Sequence, residues 1–145
     1  MLLCKNKFKK SQRKLGKIET RKRVFWYADE DPPYTVTKAS LPNLILELAG
    51  GKNIFQLPGE DTYVKVNWEN VINNNPNVII LSESTWSPVE AQRRLFETNP
   101  AYSRLQAVQQ KQFIIINYSY STSIVSIADG VRTLASGLYP EKFKQ

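Results

Sequence analysis

Asn75-Pro76-Asn77-Val78-Ile79-Ile80-Leu81 places four consecutive apolar residues directly after a proline-containing breaker, with no polar residue alternating among them. A strand that faces water on one side alternates apolar and polar side chains, whereas a strand covered by helices on both faces reads as an unbroken apolar run. The stretch therefore predicts a strand inside a parallel sheet. Phe113-Ile114-Ile115-Ile116 predicts another strand buried in the same way, and Val24-Phe25-Trp26-Tyr27 predicts the first strand of the sheet.

Helical signals fill the intervals. Ser40 can cap a helix with apolar positions Leu41, Leu44, Ile45 and Leu48, in which Pro42 is tolerated in the first turn and Gly50-Gly51 is the stop. Asn67 caps a second helix through Trp68, Val71 and Ile72. Ser87-Pro88 opens a third, with Val89, Leu95 and Phe96. Ile124, Ile127, Ala128, Val131, Leu134, Ala135 and Leu138 recur at three and four residues and predict a last helix, stopped by Pro140. This order predicts an α/β fold: a single three-layer α/β/α sandwich around a mostly parallel sheet. In such sheets ligands bind beyond the carboxyl ends of the strands, so the informative loops start at Ala28, Ser82 and Asn117.

At 145 residues the chain is the size of one domain. Its net charge of +7 is unevenly spread. Residues 1–23 hold ten Lys/Arg against Glu19, a net of +9, and residues 24–145 hold ten bases against twelve acids, a net of −2. The leader reads either as an arm for phosphates or anionic lipid, or as a solvated helix or frayed tail. The second reading is favoured, so nucleic acid is not the expected partner. No run is long and apolar enough for a membrane span, and Met1-Leu2-Leu3-Cys4 is too short for the apolar part of a secretion signal because Lys5 follows.

Much chemistry is missing. Cys4 is the single cysteine and there is no histidine, which excludes a disulfide framework, a Cys/His zinc site and histidine acid/base catalysis. Neither a glycine-rich phosphate loop nor a Gly-x-Ser-x-Gly elbow follows any predicted strand. Asp29, Glu30 and Asp31 could hold a hard cation, although three acids beside Pro32-Pro33 more often form a solvated turn. The three loops share aromatic residues: Trp26, Tyr27 and Tyr34 near the first, Trp86 near the second, Tyr118 and Tyr120 near the third. Each alone could be core. Together, with few ionised groups, they suit a large planar or chelate ligand.

Four segments in order carry a resemblance. Arg21 to Trp26, Pro32-Pro33-Tyr34-Thr35-Val36-Thr37-Lys38, Leu46 to Phe55, and Val66-Asn67-Trp68-Glu69-Asn70-Val71 with Asn75 to Leu81 resemble the second lobe of the cobalamin- and siderophore-binding proteins of ABC importers. The resemblance implies two Rossmann-like α/β lobes joined by one long helix, with the ligand clamped between them. It implies that residues 1–22 are the end of that helix and residues 23–145 the C-terminal lobe, the first lobe and export signal being absent from this sequence. It implies an extracytoplasmic, non-catalytic protein without a cofactor, whose partners are a metal chelate and an ABC permease. Tyr63 then matches a cleft-facing aromatic, Tyr118 and Tyr120 the cleft loop after the last strand, and Glu69 a surface acid that docks onto permease arginines. Where the family often carries Pro and Arg before the final helix, this chain has Val125 and Ser126. The expected ligand contacts are Tyr27, Asp31, Tyr34, Tyr63, Trp86, Tyr118 and Tyr120. An alternative is an orphaned lobe that pairs through the same face with a second copy or with a separately encoded first lobe.

Overall fold

The computed structural model describes residues 2–29 and 32–144. Four parallel strands form the sheet: β1 (Lys22–Tyr27), β3 (Gly51–Asn53), β5 (Val78–Glu83) and β6 (Phe113–Asn117), in the order β3-β1-β5-β6. A two-stranded antiparallel ribbon, β2 (Tyr34–Val36) with β4 (Tyr63–Lys65), stands beside it. Helices α1 (Leu2–Leu15), α2 (Leu41–Leu48), α3 (Trp68–Asn74), α4 (Val89–Thr98), α5 (Gln106–Gln109), α6 (Tyr118–Thr122) and α7 (Ile127–Leu138) complete the layers.

The alternation of side chains along β1 builds two cores. Val24 and Trp26 point to one face, where they pack with Ile45 and Leu46 of α2, Val131, Leu134 and Leu138 of α7, and Leu15 of α1. Phe25 and Tyr27 point to the other, among Val71 of α3, Phe96 of α4 and Ala107 of α5. Here the rings make edge contacts, Tyr27 to Phe96 at 5.2 Å, and Trp68 stacks on Tyr102 at 4.0 Å. The expected α/β sandwich is the fold that forms.

Both expected caps are in place. The Ser40 side chain accepts from the Asn43 N–H and that of Asn67 from the Asn70 N–H, each satisfying a backbone donor that the first helical turn leaves free. Gly50 follows α2 at φ +91°, and a side chain there would strike Ile18 and Tyr139. The Tyr139 hydroxyl donates to the Gly50 carbonyl and accepts from the Lys22 N–H, tying the end of α7 to the start of β1.

Several expectations need correction. β6 lies at the sheet edge, paired on one side only, and its Ile115 is 39% exposed rather than covered. The last helix starts at Ile127, and Ile124, which matches its period, sits in a 3₁₀ turn at 75% exposure. The leader is no frayed tail: α1 buries Ser11 and Leu15, Gln12 donates to the Leu48 carbonyl, and Lys7 pairs with Asp129 of α7 at 3.2 Å. Among the described residues no helix is long and apolar enough to cross a membrane.

Candidate functional site

The chain crosses from β1 to β3 on one side and to β5 on the other, so the order reverses between β1 and β5. At such a switch point the connections leave in opposite directions and open a crevice beyond the strand ends. One depression lies there, and a second adjoins it at the ends of β5 and β6. The first, of about 160 Å³, is lined by Ala28, Asp29, Tyr63, Ser82, Ser84, Trp86, Ser87 and Tyr118. The other, of about 380 Å³, is lined by Glu83 to Trp86 and Asn117 to Ser119.

Each wall has a local cause. Register sets Glu83 of β5 beside Asn117 of β6, where both strands end together. The Asn117 side chain accepts from the Ser119 N–H at 2.9 Å and its hydroxyl at 2.8 Å, which turns the chain at once into α6 and leaves Tyr118 at the rim. Trp86 is 68% exposed and meets Tyr118 edge to face, ring centres 5.1 Å apart. It is carried by a tight turn in which Ser84 and Ser87 exchange backbone hydrogen bonds. Beneath that turn the buried Gln92 amide of α4 donates to the Ser82 carbonyl, the Ser87 carbonyl and the Ser87 hydroxyl at 2.8–3.1 Å. Gln92 thus fixes the loop that presents Trp86. Sequence reading missed it, although it interrupts an apolar stripe, three residues after Val89 and four before Phe96, where a polar side chain must have a purpose.

Tyr63 enters from the ribbon, opposite Val36 of β2. Its hydroxyl is pushed up from 10.0 to about 12, first by burial and then by the charge and hydrogen bond of Tyr118, both favouring the protonated phenol. The two tyrosines form an uncharged, hydrogen-bonding wall. Folding therefore holds the Tyr63 proton more tightly than the unfolded chain does. This contribution is complete below pH 10, the ordinary tyrosine value, and is lost as the pH rises through about 12. Tyr63→Phe is expected to remove one ionisation near pH 12 from an ultraviolet titration and to flatten the stability loss in that window. An unchanged titration would show that Tyr63 ionises normally.

The other expected contacts are scattered. Tyr27 is buried in the second core against Phe96 and Trp68, on the far side of the sheet from Trp26. Tyr34 lies on the ribbon with the Lys65 ammonium over its ring at 5.3 Å, and does not line either depression. Tyr120, 37% exposed, follows Tyr118 by two residues on a helix, a spacing that turns them to different sides. Asp31 lies outside the described residues. Glu69 is exposed in the first turn of α3, away from the depressions. Tyr63, Trp86 and Tyr118 are the expected residues that the fold brings together. Among the described residues no group of three or more acidic, cysteine or histidine side chains could hold a metal ion.

Comparison with known proteins bears on this arrangement. A periplasmic binding protein from Veillonella parvula superposes on 94% of this chain and 48% of its own length with a TM-score of 0.81 at 30% identity. The periplasmic vitamin B12 binding protein of Vibrio cholerae covers 97% of this chain and 52% of its own with a TM-score of 0.72 at 23% identity. An ABC-type Fe3+-hydroxamate transport protein from Saccharomonospora viridis covers 99% and 48% with a TM-score of 0.77 at 16% identity. At these last two identities the likeness is one of fold. The chain spans about half the length of each of these structures. The periplasmic binding protein family model matches residues 4–120, which include the sheet, the ribbon and every described wall of the crevice, and the chain belongs to that family.

Proposed function

We propose that this chain is a ligand-binding lobe of an ABC-importer substrate-binding protein, and that it supplies one face of a cleft for a metal chelate such as a ferric siderophore, haem or a cobalamin. The observation that carries the reading is the Trp86–Tyr118–Tyr63 wall at the switch point of the sheet. It offers aromatic faces and neutral hydroxyls to a ligand larger than the depression itself. Support comes from the family, which is one of binding proteins, and from folds shared with proteins described as binding vitamin B12 or transporting Fe3+-hydroxamate. Glu69, exposed where the α3 dipole favours an acid, is the docking contact for a permease arginine.

A single open face touches one side of a ligand and leaves the other to water, so contacts are about half those of a closed pocket. Binding to this chain alone is expected no tighter than about high-micromolar. Fluorescence titration with a ferric trihydroxamate, haemin and cobalamin tests it, and Trp86→Ala should weaken whichever binds by about fivefold or more. Nanomolar binding to the monomer, or no binding of any of the three, overturns the reading. Trp86, at the crevice and strongly exposed, favours a second reading, in which this face pairs with another protein surface. Apparent affinities that fall as protein concentration rises would select it.

A further inference from the structure

The charges around the crevice are one-sided. Asp29 lines the smaller depression and Glu83 the larger, and among the described residues lining either there is no lysine or arginine. Neither carboxylate has a cation within ion-pair distance among the described residues, where Lys7–Asp129 is the ion pair found. Their neighbours are neutral: the hydroxyls of Ser82, Ser84, Thr85 and Ser119, the Asn117 amide, and the Tyr63 phenol, which holds its proton. Yet the chain as a whole carries +7, and the excess of positive charge lies in the leader. The crevice is thus an acidic spot on a basic protein.

Asp29 is placed by the backbone. It sits at φ +69°, in a loop closed by Ala28 N–H to Tyr34 carbonyl at 2.8 Å and Tyr34 N–H to Asp29 carbonyl at 3.1 Å. Left-handed geometry is disfavoured for most residues and tolerated best by Gly, Asn and Asp. Glu83 is placed by the end of β5. The exposed Trp86 ring lines both depressions, one with Asp29 and the other with Glu83, and its face attracts cations by its quadrupole.

From this arrangement we propose that the face selects its ligand by charge, taking a chelate of net positive charge and rejecting anionic ones, with Asp29 and Glu83 as the selecting residues. The inference rests on the ligand-binding reading above and deepens it. Carboxylates at the rim of an aromatic platform strengthen the attraction of a cationic ligand and repel an anionic one, an effect screened by salt.

The test uses gallium(III) chelates, diamagnetic and equal in charge to the ferric ones. Three are compared: a trihydroxamate bearing a free ammonium (singly cationic), a neutral trihydroxamate, and a tris-catecholate (triply anionic). The indole N–H resonance of Trp86, assigned through Trp86→Phe, reports binding. At low ionic strength the cationic chelate is expected to bind at least about tenfold more tightly than the anionic one, with the neutral chelate between them. In the double variant Asp29→Asn, Glu83→Gln the ratio should fall to about twofold or less. Asn accepts the left-handed backbone and Glu83 is exposed, so this variant keeps the fold. Equal or tighter binding of the anionic chelate overturns charge selection while leaving the chelate-binding lobe standing, and so does a tenfold ratio that survives in the double variant. No shift of Trp86 with any of the three overturns charge selection, and failure of haemin and cobalamin to bind in the fluorescence titration as well overturns the chelate-binding lobe.

Discussion

Asn53→Leu is expected to cost about 3–5 kcal/mol of stability, because it leaves two or three buried polar groups without partners at about 1–3 kcal/mol each. Asn53 ends β3 at 1% exposure. Its amide donates to the Val36 carbonyl at 3.3 Å and to the Asn43 side-chain oxygen at 3.1 Å, and its own oxygen accepts from the Phe55 N–H at 2.9 Å. Asn43, fully buried on α2, donates in turn to the Lys38 carbonyl and to Glu47. The two asparagines therefore join β3, β2 and α2 by bonds that no apolar residue can replace. Leucine has nearly the shape of asparagine, so the loss would come from unmet hydrogen bonds and not from a cavity. A domain of this size loses roughly 3 °C of Tm per kcal/mol, which makes the shift about 10 °C or more. A double-mutant cycle with Asn43→Leu should show coupling, since removing both side chains strands fewer groups than the two single changes added together. A loss under about 1 kcal/mol for Asn53→Leu would mean that water already satisfies these groups.

How much of this could be read in advance depends on how each signal is encoded. β1 and β5 were legible because strands covered on both faces spell unbroken apolar runs, and α2 and α3 because Ser40 and Asn67 punctuate them. β2, β3 and β4 were not. Each is three residues long, and Gly51-Lys52-Asn53 has no strand propensity; it is extended because β1 offers it a ladder. The helix α1 was legible from the family resemblance and not from periodicity, since its sequence is dominated by charge and, among the described side chains, Phe8 and Leu15 are the apolar ones it sets in or against the core. Ile124 misled because a period of three and four residues can continue by coincidence past a helix end.

The same limits apply to the crevice. Trp86 and Tyr118 were found from topology, as aromatic residues just past strand ends, and Tyr63 from the family resemblance. Tyr27 was misplaced because an unbroken apolar run conceals parity: neighbouring residues Trp26 and Tyr27 face opposite cores, and nothing in the pattern says which face leads to the rim. Gln92, Asn43 and Asn53 went unnoticed for a related reason. A buried polar side chain is defined by its partners, and those lie up to 17 residues away in the chain. Periodicity marks Gln92 as a polar break in an apolar stripe, but neither periodicity nor composition names the partners of any of the three.

Gly130→Ala is expected to disturb the crevice while leaving the fold in place. Gly130 lies within α7, and a Cβ there would come 2.7 Å from the Tyr120 carbonyl oxygen of α6 and 3.3 Å from Ile45. The first is a backbone atom and cannot swing aside as a side-chain end can. The short helix α6 must shift outward by several tenths of an ångström, and Tyr118 stands on its first turn. Overpacking of this kind costs about 1–3 kcal/mol, offset by up to about 1 kcal/mol from replacing a glycine inside a helix. The net loss of stability is therefore modest, about 1–2 kcal/mol. The loss of binding is roughly tenfold, about 1.4 kcal/mol, because Tyr118 holds both the edge of Trp86 and the Tyr63 hydroxyl and a small displacement disturbs both. Gly137→Ala is the control. Its Cβ would meet only the Ile114 side chain, at 2.9–3.0 Å, so it should lose similar stability without moving α6. Thermal melts together with the Trp86 indole resonance decide the matter: Gly130→Ala should move that resonance and lower the Tyr63 ionisation part of the way toward the ordinary value, burial holding the rest, and Gly137→Ala should do neither. If both variants leave the resonance and the titration unchanged, the glycine is not what lets α6 reach the crevice.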